Sequence, residues 1–334
     1  MNIKEIRNKI INKEILNKED AIYVMTELAN GSLSQLDLHS LVFYYIINPI
    51  SIEEIEGYRS VLLNNAIPVN LAFDAIDVCG TGGDGKNTFN ISTISAFVIA
   101  ASGYKVCKHG NYGFSSLTGS SSILEYLEVP FSKNNEEVND SLDKYNLAFL
   151  HAPMFHPALK HVASTRKEIG IRTFFNTLGP LINPGKPSHQ LIGVYNLSLL
   201  RMYNYFLQKE KAKYSLVHSI DGYDEISLTN KFLVKTNEYE KEYLPNELGF
   251  KLLHQSDLEY KNTIEDAAKI FIDVLSDTAT NAQKNVVIAN CGFGIATISG
   301  KPIEESIFIA KETIESKRGL ELLKKIKSKK YAYA

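Results

Sequence analysis

The segment DVCGTGGDGKNTFNIST, starting at Asp77, gathers the residue types that hold a polyanion. Gly80, Gly82, Gly83 and Gly85 let a backbone approach a ligand closely, and a helix expected to begin near Ile91 offers free N–H groups at its start. Two familiar phosphate motifs almost fit. Gly80, Gly82 and Gly85 match GxGxxG, but a dinucleotide site also wants an acidic residue about 20 positions on to hold the ribose. Lys108-His109-Gly110-Asn111 stand there instead. Gly80 to Lys86 mimics GxxxxGK, yet the Ser or Thr that should follow for Mg²⁺ is Asn87. Neither a nicotinamide dinucleotide nor a Walker-type nucleotide site is expected.

What remains is a hydroxyl-rich anion site in two parts. Thr81, Thr88, Ser92 and Thr93 belong to the first loop; Ser115, Ser116, Thr118 and Ser120 belong to a second, KHGNYGFSSLTGS, followed by a helix expected near Ser121. Two such loops at the carboxyl ends of strands face one crevice. Lys108 adds positive charge. Two anion sites in one crevice imply a ligand with two phosphate groups, or a phosphate and a pyrophosphate.

The surrounding pattern predicts the scaffold. Up to about residue 66 the apolar residues recur at helical spacing: Ile3, Ile6, Ile10, Ile11 and Leu16, then Ala21, Val24, Met25 and Leu28. Asn30-Gly31 ends that helix, and Leu33-Ser34 leads into the next. Leu36 to Ile47 is apolar almost all round, so that helix should be buried or face a partner. Ser51 caps a further helix with Glu54 three residues on, and 64–68 reads as a linker. From about residue 74, β-rich runs alternate with helical stretches: 75–79, 104–108, 147–151, 190–195, 214–218 and 285–289. That alternation predicts a mostly parallel sheet covered by helices, with 226–244 as an antiparallel insertion of three short strands.

Composition bounds the class. The chain has 334 residues, 44% of them hydrophobic and 22% charged, enough apolar material to exclude wholesale disorder. With 36 Lys+Arg against 38 Asp+Glu the net charge is -2, less basic than a nucleic-acid binder usually is. Cys79, Cys107 and Cys291 form no CxxC pair, so neither a zinc ribbon nor a disulfide framework is expected, and a reducing cytoplasm fits. The N-terminal MNIKEIRNKI has no signal-peptide core, and no stretch approaches the ~20 apolar residues of a membrane span. The basic tail (Lys324, Lys325, Lys327, Lys329, Lys330) reads as a solvated helix end.

Five segments in order, GTGGD with NIST, KHGN with SS, HAPMFHPA, RTFFNTLGPLINP and DGYDE, carry a resemblance to anthranilate phosphoribosyltransferases over nearly the whole chain. The resemblance implies transfer of phosphoribose from phosphoribosyl pyrophosphate to the amine of anthranilate, with Mg²⁺, two ions per site. It implies an α/β protein: a small all-helical domain, residues 1–68 with a contribution from about 155–183, beside a larger domain, 69–334, with a mostly parallel central sheet flanked by helices. By this resemblance Gly80, Gly83, Asp84, Thr88, Asn90, Ile91, Ser92, Thr93, Lys108, His109, Gly110, Asn111, Ser115, Ser116 and Ser120 would hold phosphoribosyl pyrophosphate. Gly80, His109, Asn111, His156 and Arg166 would meet anthranilate, with Ala152, Pro153 and Gly179 along its approach, while His151 and His161 are structural. Ser92, Asp224 and Glu225 would hold metal; adjacent carboxylates on a strand point to opposite faces, so both reach one ion only from a loop, which the Gly222 turn supplies. Lys108 is the expected electrostatic catalyst, and no acid–base residue is expected. A homodimer through the helical domain and association with an anthranilate synthase component are also implied, with neither nucleic acid nor membrane as partner.

The second loop departs from the family. Where KHGNR and SSKSGSAD are usual, this chain has Tyr112, Leu117 and Ser122. Two cations are missing near the phosphates, so phosphoribosyl pyrophosphate should bind more weakly here unless another cation compensates. Two other readings compete with it: a pyrimidine nucleoside phosphorylase, and a non-catalytic nucleic-acid-binding relative.

Overall fold

A computed structural model describes residues 2–113 and 118–332, with side chains given as far as Ser328. Four helices open the chain: α1 (Ile3–Ile11), α2 (Lys18–Ala29), α3 (Gln35–Ile47) and α4 (Ile52–Asn64). Each begins with a reciprocal capping box: Asn2 with Glu5, Asn17 with Asp20, Ser34 with Asp37, Ser51 with Glu54. Side chains thus satisfy the free N–H groups that every helix start leaves open. Glu54 does more than cap. It is buried, and its carboxylate also accepts from Leu16 N at 3.2 Å and Tyr45 Oη at 2.9 Å. Leu16, expected on the first helix, instead lies in the α1–α2 link, fully buried and held by that bond.

The remaining chain alternates strands and helices. The strands are β1 (Ile76–Gly80), β2 (Val106–Gly110), β3 (Leu147–His151), β4 (His189–Gly193), β5 (Lys213–Ser219), β6 (Phe232–Thr236) and β7 (Glu240–Tyr243). The helices are α5 (Ile91–Ala101), α6 (Ser120–Tyr126), α7 (Asn135–Tyr145), α8 (Ala152–Phe155), α9 (Lys160–Ile169), α10 (Phe174–Leu178), α11 (Leu197–Gln208), α12 (Ile264–Leu275), α13 (Asn281–Ser299), α14 (Ile303–Glu315) and α15 (Arg318–Ala332). One sheet results, in the order β3-β2-β1-β4-β5-β6-β7. β1 to β5 pair in parallel; β6 and β7 add antiparallel at the edge.

Both sheet faces are covered. On one, Val78, Leu191 and Val217 pack with Phe97 of α5, Phe271 of α12 and Phe293 of α13. On the other, Ile192 and Leu216 join Tyr203 and Phe206 of α11 in a cluster that runs on into Val24, Met25 and Tyr58 of the N-terminal helices. Ala158, Val162, Phe174, Phe175 and Leu181 belong to the same cluster, so the 157–182 stretch packs with α1–α4. α7 covers β2 and β3 through Val138 and Leu142. Each fully buried aromatic or aliphatic side chain contributes ~1.5–3 kcal/mol, which favours this closed arrangement.

Two expected strands are absent. Residues 285–289 lie inside α13, not in the sheet. Val286 to Ile295 are all buried, and a helix buried on every side reads like a buried strand because both are simply apolar runs. The Thr280–Gln283 capping box was the signal to weigh. Residues 226–229 form a loop, because side chains take up its backbone groups: Ile226 N donates to Asn290 Oδ1 at 3.1 Å and Ser227 N to Ser219 Oγ at 3.1 Å.

Candidate active site

β2 and β3 lie to one side of β1, β4 and β5 to the other, so the strand order reverses at β1. Such a switch point leaves a crevice beyond the carboxyl ends of the strands. At that end Gly80 of β1 pairs with Gly193 of β4. A Cβ at Gly80 would stand 2.3 Å from Asp224 Oδ2, and one at Gly193 only 1.5 Å from Asp224 O. These two glycines allow the loop bearing Asp224 and Glu225 to lie directly on the strand ends.

The first glycine loop then wraps that carboxylate loop. Gly82, Gly83 and Gly85 have φ of +66°, +72° and +74°, the left-handed region open to glycine. Gly82 N donates to Asp224 Oδ2 at 2.6 Å, and Ser92 N, in the first turn of α5, donates to Glu225 Oε1 at 3.2 Å. Glu225 thus takes a capping role for α5, whose Asn90 makes no side-chain cap bond. Asn290 on α13 holds the loop from behind, donating to Ile226 O at 2.9 Å as well as accepting from its N–H. The expected loop geometry for the acidic pair, with a turn at Gly222 (φ +95°), is what the fold provides.

A third carboxylate joins them. Asp84 Oδ1 accepts from Lys86 N at 3.0 Å, while Oδ2 is buried with no hydrogen-bond partner. Burial, then the nearby Asp84, pushes the Asp224 carboxyl up to about 8; burial and Asp224 push Glu225 upward too. Asp84 is raised chiefly by burial. Such a cluster of hard oxygens is destabilised by its own charge and suits a divalent cation. Among the described residues no group of three or more His, Cys, Asp or Glu side chains is placed to hold an ion by itself. Mg²⁺ does not need one, being bound by one or two carboxylates with substrate phosphates and water.

The second loop forms the facing wall. Lys108, on β2, is 3% exposed; its Nζ donates to Val78 O and, at 3.4 Å, to Ser92 Oγ, which fixes the ammonium beneath the first loop. His109 Nδ1 lies 3.3 Å from Gly179 O, an acceptor, so Nδ1 carries the proton and Nε2, buried without a partner, presents a lone pair. Burial and the adjacent His156 push His109 down to about 3, so the ring is neutral at physiological pH. The two loops touch directly through Asn90 Nδ2, which donates to Thr118 O at 3.0 Å. Thr81 Oγ1 and Asn90 Oδ1 are further buried polar atoms without a partner in the cleft. Such atoms are rare in native proteins and here mark where a ligand would bond.

Arg166 of α9 and Asn176 and Phe175 of α10 close the cleft from the helical side. Arg166 is buried; its Nη2 donates to Asn176 Oδ1 at 3.4 Å and its guanidinium lies 5.3 Å from the Phe175 ring centroid. Burial lowers it to about 10, leaving it charged at neutral pH.

Of the residues expected at this site, all the described ones except Ile91 and His156 line this one cleft. Ile91, the first residue of α5, is fully buried in the core. His156 stands behind His109, ring centroids 5.2 Å apart, with Nε2 2.8 Å from Ile182 O. Ala152 and Gly179 line the cleft, but Pro153 does not. Ser115, Ser116 and Leu117 lie outside the described residues. His151 bonds Ser121 Oγ at 2.8 Å and stacks on Phe131, fitting its structural reading, and Tyr112 packs edge-on against it.

Several residues that build the site carried no local signal. Asn183 reaches Asp77 Oδ2 at 2.8 Å and Cys107 O at 3.0 Å beneath the loops. Arg172 Nη1 donates to Gly83 O at 2.8 Å while its guanidinium stacks 4.0 Å from the Tyr195 ring centroid. Lys86 of the first loop also lines the cleft, a cation beside Gly82 and Gly83. The RTFF and GPLINP segments contained Arg172 and Asn183, but not their partners.

Comparison with known proteins agrees with this geometry. Residues 72–318 match the family described as "Glycosyl transferase family, a/b domain". The chain is 48% identical to an anthranilate phosphoribosyltransferase of Bacteroides thetaiotaomicron, covering 97% of this chain and 98% of that one. A crystal structure of the Thermus thermophilus anthranilate phosphoribosyltransferase superposes with a TM-score of 0.86 at 30% identity, covering 96% of this chain and 98% of that one. The Saccharomyces cerevisiae enzyme, solved in complex with PRPP and Mg, superposes with a TM-score of 0.83 at 26% identity, covering 93% of each chain. A two-loop cleft at the switch point and similarity along almost the entire length place the chain in the anthranilate phosphoribosyltransferase family.

Proposed function

We propose that this cleft transfers the phosphoribosyl group of 5-phosphoribosyl 1-pyrophosphate to the amine of anthranilate, releasing pyrophosphate, in tryptophan biosynthesis. The observation that carries the reading is the convergence of two glycine- and hydroxyl-rich loops and a carboxylate loop on one crevice. The first loop, with Gly83, Thr88, Asn90, Ser92 and Thr93 and with Lys108 beneath it, holds pyrophosphate and ribose; the second, with Gly110, Asn111 and Ser120, holds the remaining phosphate. Ser92, Asp224 and Glu225 would hold Mg²⁺ together with the substrate phosphates, with Asp84 beside them, and two ions per site are proposed from the resemblance. When bound, Mg²⁺ supplies charge neutralisation on the pyrophosphate.

The chain's own residues do the rest. Breaking the bond to pyrophosphate builds positive charge on the sugar ring and negative charge on the leaving group. Lys108, already oriented by Val78 O and Ser92 Oγ, stabilises that negative charge. The aryl amine is neutral and nucleophilic, so the site needs an acceptor to orient its N–H rather than a strong base. His109 Nε2, neutral and unpartnered, is that acceptor. Arg166 grips the carboxylate with a planar fork, and Phe175 and Leu178 supply an apolar wall. Positioning dominates, and in favourable systems it is worth ~7–11 kcal/mol.

The larger context is proposed on the same basis. Residues 1–68 with 155–183 form the helical domain and 69–334 the α/β domain. Ile11, Leu36, Phe43, Ile46 and Ile47 are exposed on α1 and α3, which supports a homodimer through this face. Three free cysteines support a reducing, cytoplasmic setting. Among the described residues no helix is long and apolar enough to cross a membrane. Association with an anthranilate synthase component remains a proposal from the resemblance.

The test is loss of anthranilate fluorescence with phosphoribosyl pyrophosphate and Mg²⁺. Wild-type protein should consume the fluorophore, and Asp224→Asn with Glu225→Gln should abolish consumption. A wild-type protein that leaves anthranilate untouched but cleaves thymidine or uridine with phosphate refutes the reading.

A further inference from the structure

We propose that Tyr260 is a positioning residue for phosphoribosyl pyrophosphate, acting as a clasp that sets the gap between the two glycine loops. The inference rests on the reading of the cleft given above. Tyr260 lies ahead of α12, far in sequence from both loops, and is only 7% exposed.

Residues 259–262 touch both loops at once. On the first, Asn87 Nδ2 donates to Tyr260 O at 2.8 Å, and Thr88 pairs with Glu259 in an isolated antiparallel bridge. On the second, Tyr260 Oη lies 2.6 Å from Thr118 Oγ1. The direction of that bond is fixed by a third group. Tyr260 Oη donates its one proton to Asn262 Oδ1 at 3.0 Å, so the Thr118 hydroxyl must donate to Tyr260. Thr118 thereby commits its proton to the clasp, not to a ligand, and its carbonyl is bound by Asn90 of the first loop. Thr118 is an anchor point, with its neighbours Gly119 and Ser120 left facing the cleft.

The consequence is geometric. The residues proposed to hold pyrophosphate, Thr88 and Asn90, and the residue proposed to hold the opposite phosphate, Ser120, sit within two residues of these contacts. A ligand with anions at both ends senses the separation of the loops directly; anthranilate, anchored through its carboxylate by Arg166 on the helical side, senses it far less. Tyr260 therefore acts chiefly on one substrate.

The experiment uses the full-length enzyme. Tyr260→Phe keeps the buried ring and removes the hydroxyl. Its KM for phosphoribosyl pyrophosphate should rise about three- to tenfold, the cost of ordering on binding a side chain or two of the loosened loops; the melting temperature should fall slightly with the lost buried bond, and the KM for anthranilate should stay near wild type. Calorimetric titration of phosphoribosyl pyrophosphate with Mg²⁺, without anthranilate, should show the same weakening. Thr118→Val should match Tyr260→Phe, and the double variant should be no worse than either single one. Unchanged affinity in Tyr260→Phe, additive losses in the double variant, or a fall in kcat and melting temperature with KM unaltered would each overturn the proposal. If wild type binds phosphoribosyl pyrophosphate yet does not consume anthranilate, the acceptor assignment fails and the clasp stands. If wild type does not bind it, both fail.

Discussion

Arg166 and the three clustered carboxylates are the residues whose chemistry is most exposed to test. Lysine at position 166 would keep the charge but lose the planar fork, and the two are not interchangeable where, as proposed, a carboxylate is gripped in two places. Arg166→Lys should raise the KM for anthranilate by about tenfold or more, ~1.4 kcal/mol, and leave that for phosphoribosyl pyrophosphate near wild type, as initial rates will show. The carboxylates predict a pH dependence. Asp224 titrates near about 8 and Glu225 is also raised, whereas an unfolded carboxyl titrates near 4. Between those values the folded chain binds more protons than the unfolded one, so stability without metal is lost as pH rises through about 8. The histidines with resolved shifts, His109, His151, His156, His189 and His218, are all lowered, so they oppose the trend while the unfolded chain still protonates them, up to about pH 6.5, and above that the two carboxyls set the slope. A bound cation removes the penalty. The rise in melting temperature on adding MgCl₂ should therefore be larger at about pH 8.5 than at about pH 6.5, and an equal rise at both would contradict the assignment.

Among the elements, the loop after β5 depends most on a distant support. Asn290, 3% exposed on α13, bonds both backbone groups of Ile226 and the carbonyl of Val286. Asn290→Ala would leave Ile226 groups buried and unpaired, at ~1–3 kcal/mol. Thermal denaturation should register that loss, and Mg²⁺ titration should weaken with it, because Asp224 and Glu225 ride on the same loop. The two glycine loops were legible from sequence since their chemistry is carried by backbone and short hydroxyls at fixed spacing. Asn290, Asn183, Arg172 and Tyr260 were not. Each acts across 64 to 173 positions of chain, and only the fold brings its partner near. The 285–289 run was misread for a related reason: a helix packed on every face shows no 3.6-residue rhythm to separate it from a central strand.

For the molecule as a whole, the N-terminal helices share one apolar cluster with α11 and the β4–β5 face of the sheet. Ion pairs span the same boundary, Arg59 with Glu210 at 2.9 Å and Glu56 with Lys209 at 2.7 Å. The outer surface of these helices is another matter: Phe43 and Ile47 are 49% and 76% exposed. Phe43→Glu with Ile47→Glu should convert a dimer to a folded monomer in sedimentation, with circular dichroism unchanged; a wild type that already sediments as a monomer would refute the dimer. The paired glycines at positions 80 and 193 impose an order of events. Only hydrogen fits beside Asp224 at either place, and a slip of one residue between β1 and β4 would put Cys79 or Ile192 there. A refolding chain can seat its acidic loop only after those central strands have found their correct alignment, so tight magnesium uptake should lag behind sheet formation and serve as a late reporter of native assembly.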